Sequence, residues 1–151
     1  MYPKYHIFYG LILAGVLYFF FGFSVFACLI VFLSSFLFDV DHYLNYVFKN
    51  RDFSLKKAYV WNVKRGLRWR KFSYSEKQQH KIAFFMFHGI EFMILLLILA
   101  YFHVFFFWVF LGVLFHMVLD YIDIFYQRDL WYSKFSEIYI LVRNKKKKEF
   151  E

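Results

Sequence analysis

The sequence predicts an all-α polytopic membrane protein, with four transmembrane helices arranged as two hairpins and amphipathic interfacial helices beside them. Three observations carry this. The 151-residue chain is 62% hydrophobic and 28% aromatic, whereas a soluble domain is roughly 45–50% apolar. Two long apolar runs, 7–38 and 82–119, share a single charged side chain, Glu91. All 19 Lys and Arg residues fall outside both runs.

The first run is 32 residues long and has no charged side chain. As one helix it would measure about 48 Å at ~1.5 Å per residue, against a ~30 Å hydrocarbon core. Two spans, 5–21 and 23–39, fit better, with a turn at Phe21-Gly22-Phe23-Ser24. No trustworthy small-residue cleavage site follows the apolar stretch, so no cleavable signal peptide is expected. Cys28 is the single cysteine, which excludes a disulfide framework.

Residues 43–81 form a basic amphipathic segment with 11 of the 19 cations, interleaved with Tyr46, Phe48, Trp61, Trp69 and Phe72. Ser54 is positioned to cap a helix over about 55–65 that Gly66 would end, and Ser73-Tyr74-Ser75-Glu76 has the form of a capping box. Aromatics mixed with Lys and Arg suit the headgroup level of a membrane. In a chain with net charge +8 and this apolar content, anionic lipid headgroups are the expected partner and a specific nucleic acid is not.

The second run divides at Tyr101-Phe102-His103 into spans 82–100 and 104–120. Residues 121–151 are read as an interfacial helix, apolar from Leu130 to Val142, ending in a solvated, mobile Lys145–Lys148 tract. With four spans, every Lys and Arg lies on one face. The positive-inside rule makes that face cytoplasmic, with both termini inside the cell membrane.

This topology gathers the ionisable residues of the spans. His6 begins span 1, while Asp39, Asp41 and His42 end span 2. His88 and Glu91 are expected about two turns into the third helix, at i and i+3 on one face. His116 and Asp120, at i and i+4, end span 4. All eight are candidate metal ligands toward one side of the membrane. Ionisable groups at such depth are costly and mark function, and so many acids in one place call for a cation. Imidazole and carboxylate without thiolate suit one or two divalent ions, Zn ahead of Mn or Fe. Asp39 and Asp41 are i and i+2, about 200° apart on a continuous helix. Either the helix ends at Asp39 and the chain bends, or only one Asp, paired with His42, touches the metal; the helix is expected to end there.

The motifs His6-x3-Gly10, Phe38-Asp39-Val40-Asp41-His42, His88-Gly89 and Gly112-x3-His116-x3-Asp120 resemble those of the YdjM-type inner-membrane metal-dependent hydrolases. The resemblance spans about residues 5–123. Those are small multi-span proteins of bacteria and archaea. Their third motif also carries a His-Arg-Gly that is missing here, with Ala83 where its His would stand. The resemblance implies a membrane-embedded metal-dependent hydrolase; the location of the site at headgroup depth, beside a basic segment that attracts anionic lipid, makes a lipid or lipid-linked (phospho)ester the expected substrate. His6, Asp41, His42, His116 and Asp120 would then be the direct ligands. Asp39, His88 and Glu91 would be further ligands, with Asp39 or Glu91 as the general base. The alternative is a non-catalytic membrane protein whose polar cluster is a structural metal site or an ion-binding cluster.

Overall fold

The structure, a computed structural model, describes residues 3–150, and it is helical without a β-strand element among them. Three stretches are long and apolar enough to cross a membrane: Pro3–Phe21, Val25–Asn50 and Val104–Tyr126. The chain divides into two compact units, residues 1–39 with 90–123 and residues 40–89 with 124–151.

The first unit is built from α1 (Pro3–Phe21), α2 (Val25–Leu37), α6 (Ile90–Phe102) and most of α7 (Val104–Tyr126). Between α1 and α2, Gly22 takes φ 67°, a left-handed conformation that glycine enters without steric cost. Ser24 then caps α2 by accepting the Ala27 N–H at 3.2 Å. The buried face of α1 is His6, Gly10 and Ala14, at i, i+4 and i+8. Small residues set the helix spacing: Gly10 lies against Ser35, and a Cβ on Gly112 would stand 2.5 Å from the Val31 carbonyl oxygen. Close backbone approach at small residues is how helices associate where lipid removes the hydrophobic drive. Ser34 and Ser35 satisfy their hydroxyls on their own helix, donating to Ile30 O and Phe32 O at 2.7 Å each. Leu96, Val113 and Met117 form the core between α6 and α7. The outward side chains are apolar and exposed, among them Phe19, Phe20, Phe26, Ile98 and Phe102. Apolar exposure on this scale marks a surface meant for lipid or a partner.

Two expectations about the third span need correction. Residues 82–89 are not helical, and α6 begins only at Ile90. Its 13 residues extend about 20 Å at ~1.5 Å each, short of a ~30 Å core. The reason lies in distant partners for the 82–89 backbone. Ile82 N–H donates to Asn144 Oδ1 at 3.0 Å, and Asn144 returns its amide to Ile82 O at 2.7 Å. Phe85 N–H donates to Glu137 and Phe87 N–H to Asp41. With those groups satisfied elsewhere, the helical ladder has no advantage.

The second unit holds α3 (Val40–Asn50), α4 (Leu55–Arg70), α5 (Tyr74–Gln79), a short 3-10 helix at Trp131–Lys134 and α8 (Glu137–Asn144). Ser54 caps α4, which runs through Gly66 instead of ending there. Ser73 and Glu76 form a full capping box at α5. The Ser73 hydroxyl and backbone N–H hold the Glu76 carboxyl below its ordinary value. Leu130 and Ile140 are fully buried with Ile82, so the apolar 130–142 stretch packs inward as well as outward. The lysine tract is also tied down. Lys148 pairs with the chain at His80, its carbonyl accepting Lys81 N–H at 2.7 Å and its N–H reaching Gln79 O at 3.0 Å.

Candidate metal centre

At the end of α2 the chain breaks, as the angular argument for Asp39 and Asp41 requires. Helix α2 stops at Leu37, Asp39 N–H turns back to Phe36 O at 3.2 Å, and α3 starts at Val40. After the break, each carboxylate meets imidazoles of its own unit.

The first cluster joins His6 from α1, Asp39 from the turn, and His116 and Asp120 from α7. His6, His116 and Asp120 are all at most 1% exposed. His6 Nε2 lies 3.4 Å from Asp120 Oδ1 and 3.9 Å from Asp39 Oδ2. His116 Nε2 lies 3.3 Å from Asp120 Oδ2 and 3.7 Å from Asp39 Oδ1. The two imidazoles stack at 4.0 Å between centroids, 18° from parallel. His116 Nδ1 is 2.9 Å from the Ser35 carbonyl oxygen. That oxygen only accepts, so Nδ1 carries a proton and Nε2 is the ring nitrogen turned toward the carboxylates. Neither ring nitrogen of His6 makes a hydrogen bond, which is unusual for a buried polar group.

These observations fit a divalent ion. Ligands about 2.0–2.1 Å from a tetrahedral centre stand about 3.3–3.4 Å from one another, which matches the contacts to Asp120. Asp39 is the outlying member. It sits on a turn, is 10% exposed at the side chain, and keeps the longer separations. Imidazoles bind metals in their neutral form; with both neutral, the two carboxylates carry two negative charges in a site nearly closed to water, which a divalent cation would cancel. The ring-fixing carbonyl of Ser35 is the outer partner that a metal-binding His ordinarily has.

In the second cluster, Asp41 is buried and accepts from two imidazoles. His42 Nδ1 reaches Oδ1 at 2.9 Å, and fully buried His88 Nδ1 reaches Oδ2 at 2.8 Å. Phe85 stacks on His42 at 4.1 Å and 16°. Both Asp41 oxygens thus hold imidazole N–H groups in place. Asp41, expected as a direct ligand, is a residue that orients His42 and His88. His88 comes from the extended 82–89 stretch and shares no helix face with Glu91. Glu91 is half-buried in the first turn of α6.

The Asp41 contacts predict a stability effect. Asp41→Ala leaves two imidazole N–H groups and the Phe87 N–H without their acceptor, and each buried donor so stranded costs about 1–3 kcal/mol. Thermal melting of the purified protein should show a clear loss, and an unchanged midpoint would refute the buried network.

The sequence pointed to the ionisable members of both clusters but not to their supports. Ser35 acts through its backbone, which no side-chain pattern reveals. Phe85 was one phenylalanine among 25. The Ser34-Ser35 pair, polar inside an apolar run and one turn before Asp39, was the available signal.

No family model, curated protein or solved structure matches this chain.

Proposed function

We propose that this chain is a membrane-embedded metal-dependent hydrolase whose metal, Zn ahead of Mn or Fe, is held by His6, His116 and Asp120. The observation that supports this most is the set of Nε2-to-carboxylate separations, 3.3 and 3.4 Å at Asp120 and 3.7 and 3.9 Å at Asp39. Each imidazole meets a different Asp120 oxygen, and Asp39 also lies within ligand reach of both His6 and His116; in the hydrolase reading Asp39 leaves the fourth position open, as catalytic sites do, whereas a structural site is closed by four ligands. A bound divalent ion would supply an acidified water and polarise the scissile carbonyl or phosphoryl oxygen. Asp39, outermost and on a turn, is placed to take the proton of the attacking water at a carboxylate oxygen. Ser35 O keeps His116 in the tautomer that presents Nε2. The motif resemblance points to the same reaction class.

The proposed substrate is a lipid or lipid-linked ester, because the site is carried on apolar helices whose outer faces suit a hydrocarbon surround. In this reading α1, the stretch Val25–Asn50 and α7 cross the cell membrane, α6 completes the second hairpin, and the site faces the cytoplasm. Asp39 also favours a second reading. If it closes the shell as a fourth ligand, the centre is structural and the protein non-catalytic.

Elemental analysis and an ester and phosphoester screen in lipid nanodiscs test both. About one transition-metal ion per chain together with metal-dependent release of a lipid product supports the hydrolase. A folded, metal-loaded protein inactive on every lipid class establishes the structural reading. Absence of stoichiometric metal refutes both.

A further inference from the structure

One face of α4 is unpartnered, and its chemistry identifies what covers it. The inner face is accounted for within its own unit. Trp61 meets Tyr46 edge-on at 5.7 Å, and Asn62 donates to the His42 carbonyl oxygen at 3.2 Å. The Arg65 guanidinium lies over the Trp61 and Phe150 rings, and Trp69 Nε1 donates to Asp129 at 3.0 Å. The outer face carries Leu55, Tyr59, Val63 and Leu67, one residue per turn at a spacing of four. Three of these are well exposed, at 70%, 62% and 49% for Leu55, Tyr59 and Leu67. Exposed Lys57, Lys64 and Arg68 form the neighbouring stripe. Lys57 Nζ also pairs with Asp52 at 2.9 Å, and no acidic residue occurs between Asp52 and Glu76 to pair with Lys64 or Arg68 along the helix.

We infer that this face of α4 lies in the plane of an anionic bilayer leaflet, with Leu55, Tyr59, Val63 and Leu67 in the acyl boundary and Lys57, Lys64 and Arg68 on lipid phosphates. An apolar stripe bordered by cations is the chemistry of an interfacial helix, and clustered cations beside a membrane span recruit anionic lipid. Chain continuity supplies the bilayer: the apolar stretch Val25–Asn50 ends five residues before α4 begins at Leu55. The helix is also coupled to the chemistry of its unit. The Asn62 bond to the His42 carbonyl ties the lipid-facing helix to the residue that Asp41 holds. None of this depends on metal binding or hydrolysis.

The test uses the full chain in nanodiscs of neutral phosphatidylcholine, with or without anionic phosphatidylglycerol. Spin labels are placed singly at Tyr59, Val63 and Leu67, and at Gln78 as a solvent reference. Native Cys28 stays, because it is buried. Labels at 59, 63 and 67 should be reached by dissolved oxygen and shielded from an aqueous nickel chelate, most strongly in anionic discs, while the label at 78 stays open to the chelate. Triple replacement of Lys57, Lys64 and Arg68 by Gln should weaken the anionic-lipid preference by roughly a hundredfold, from ~1 kcal/mol per cation and ~1.4 kcal/mol per decade. Retention of lipid in native mass spectrometry reads the same preference on unlabelled protein. Equal chelate access at all four positions in both discs would overturn the inference. So would shielding that persists in detergent and grows with protein concentration, since that identifies a second copy, and so would shielding that requires added RNA.

Discussion

His116→Ala combined with Asp120→Ala is expected to abolish stoichiometric metal binding, lowering affinity by more than about a hundredfold. Removing outer partners of metal ligands alone costs about 10–100-fold, and this variant removes two of the three closest donors. His6 would be left with one partly exposed carboxylate, Asp39, at 3.9 Å. Elemental analysis after purification and competition against a chelator read the loss. Because a metal bound only by the folded state adds to its stability, chelator treatment of the parent protein should lower its melting temperature. The same treatment should leave the double variant unmoved. A double variant that keeps one ion per chain would place the metal elsewhere.

The second large effect is expected at the glycines, and it separates packing from chemistry. Gly112→Val should destabilise the protein by about 1–3 kcal/mol through overpacking, since its new Cβ meets the Ser34 side chain and the Val31 carbonyl oxygen. The hydroxyl could move, but a helix backbone cannot without separating α7 from α2. His116 is one turn along the same helix, so its bond to Ser35 O should loosen as well. Gly15→Ala is the contrasting case: nothing lies within 4 Å of its added Cβ, and the gain in helix propensity is up to about 1 kcal/mol. It should be neutral or stabilising in a thermal melt. If both variants behave alike, the close approach of α7 and α2 is not what holds them.

Much of the fold could be read locally. Ser24, Ser54 and Ser73 each precede a helix and cap it, because an N-cap depends only on a few adjacent residues. The turn at Gly22 and the break at Asp39 were visible for similar reasons, one from the conformational freedom of glycine and the other from the 100° step of a helix. The 82–89 stretch was misread because its apolar sequence looks like the start of a span. Its backbone bonds instead to Asn144 and Glu137, residues more than 50 positions away. The lysine tract was misread for the same reason: charge along the chain does not disclose that Lys148 would find a partner near His80.

The sequence by itself determined the helical class and the long apolar stretches. It also determined the list of ionisable residues from which any site must be drawn, since hydrophobic period, length and charge are properties of the chain. Tertiary structure alone decided which partners each residue meets within its own unit. Asp39 joins His6, His116 and Asp120, while Asp41 holds His42 and His88 by their Nδ1 atoms. The physical reason is the bend after Phe38. Two positions of register separate the carboxylates of Asp39 and Asp41, and only the packed positions of α1 and α7 for the first, and of the 82–89 loop for the second, determine which imidazoles each one meets.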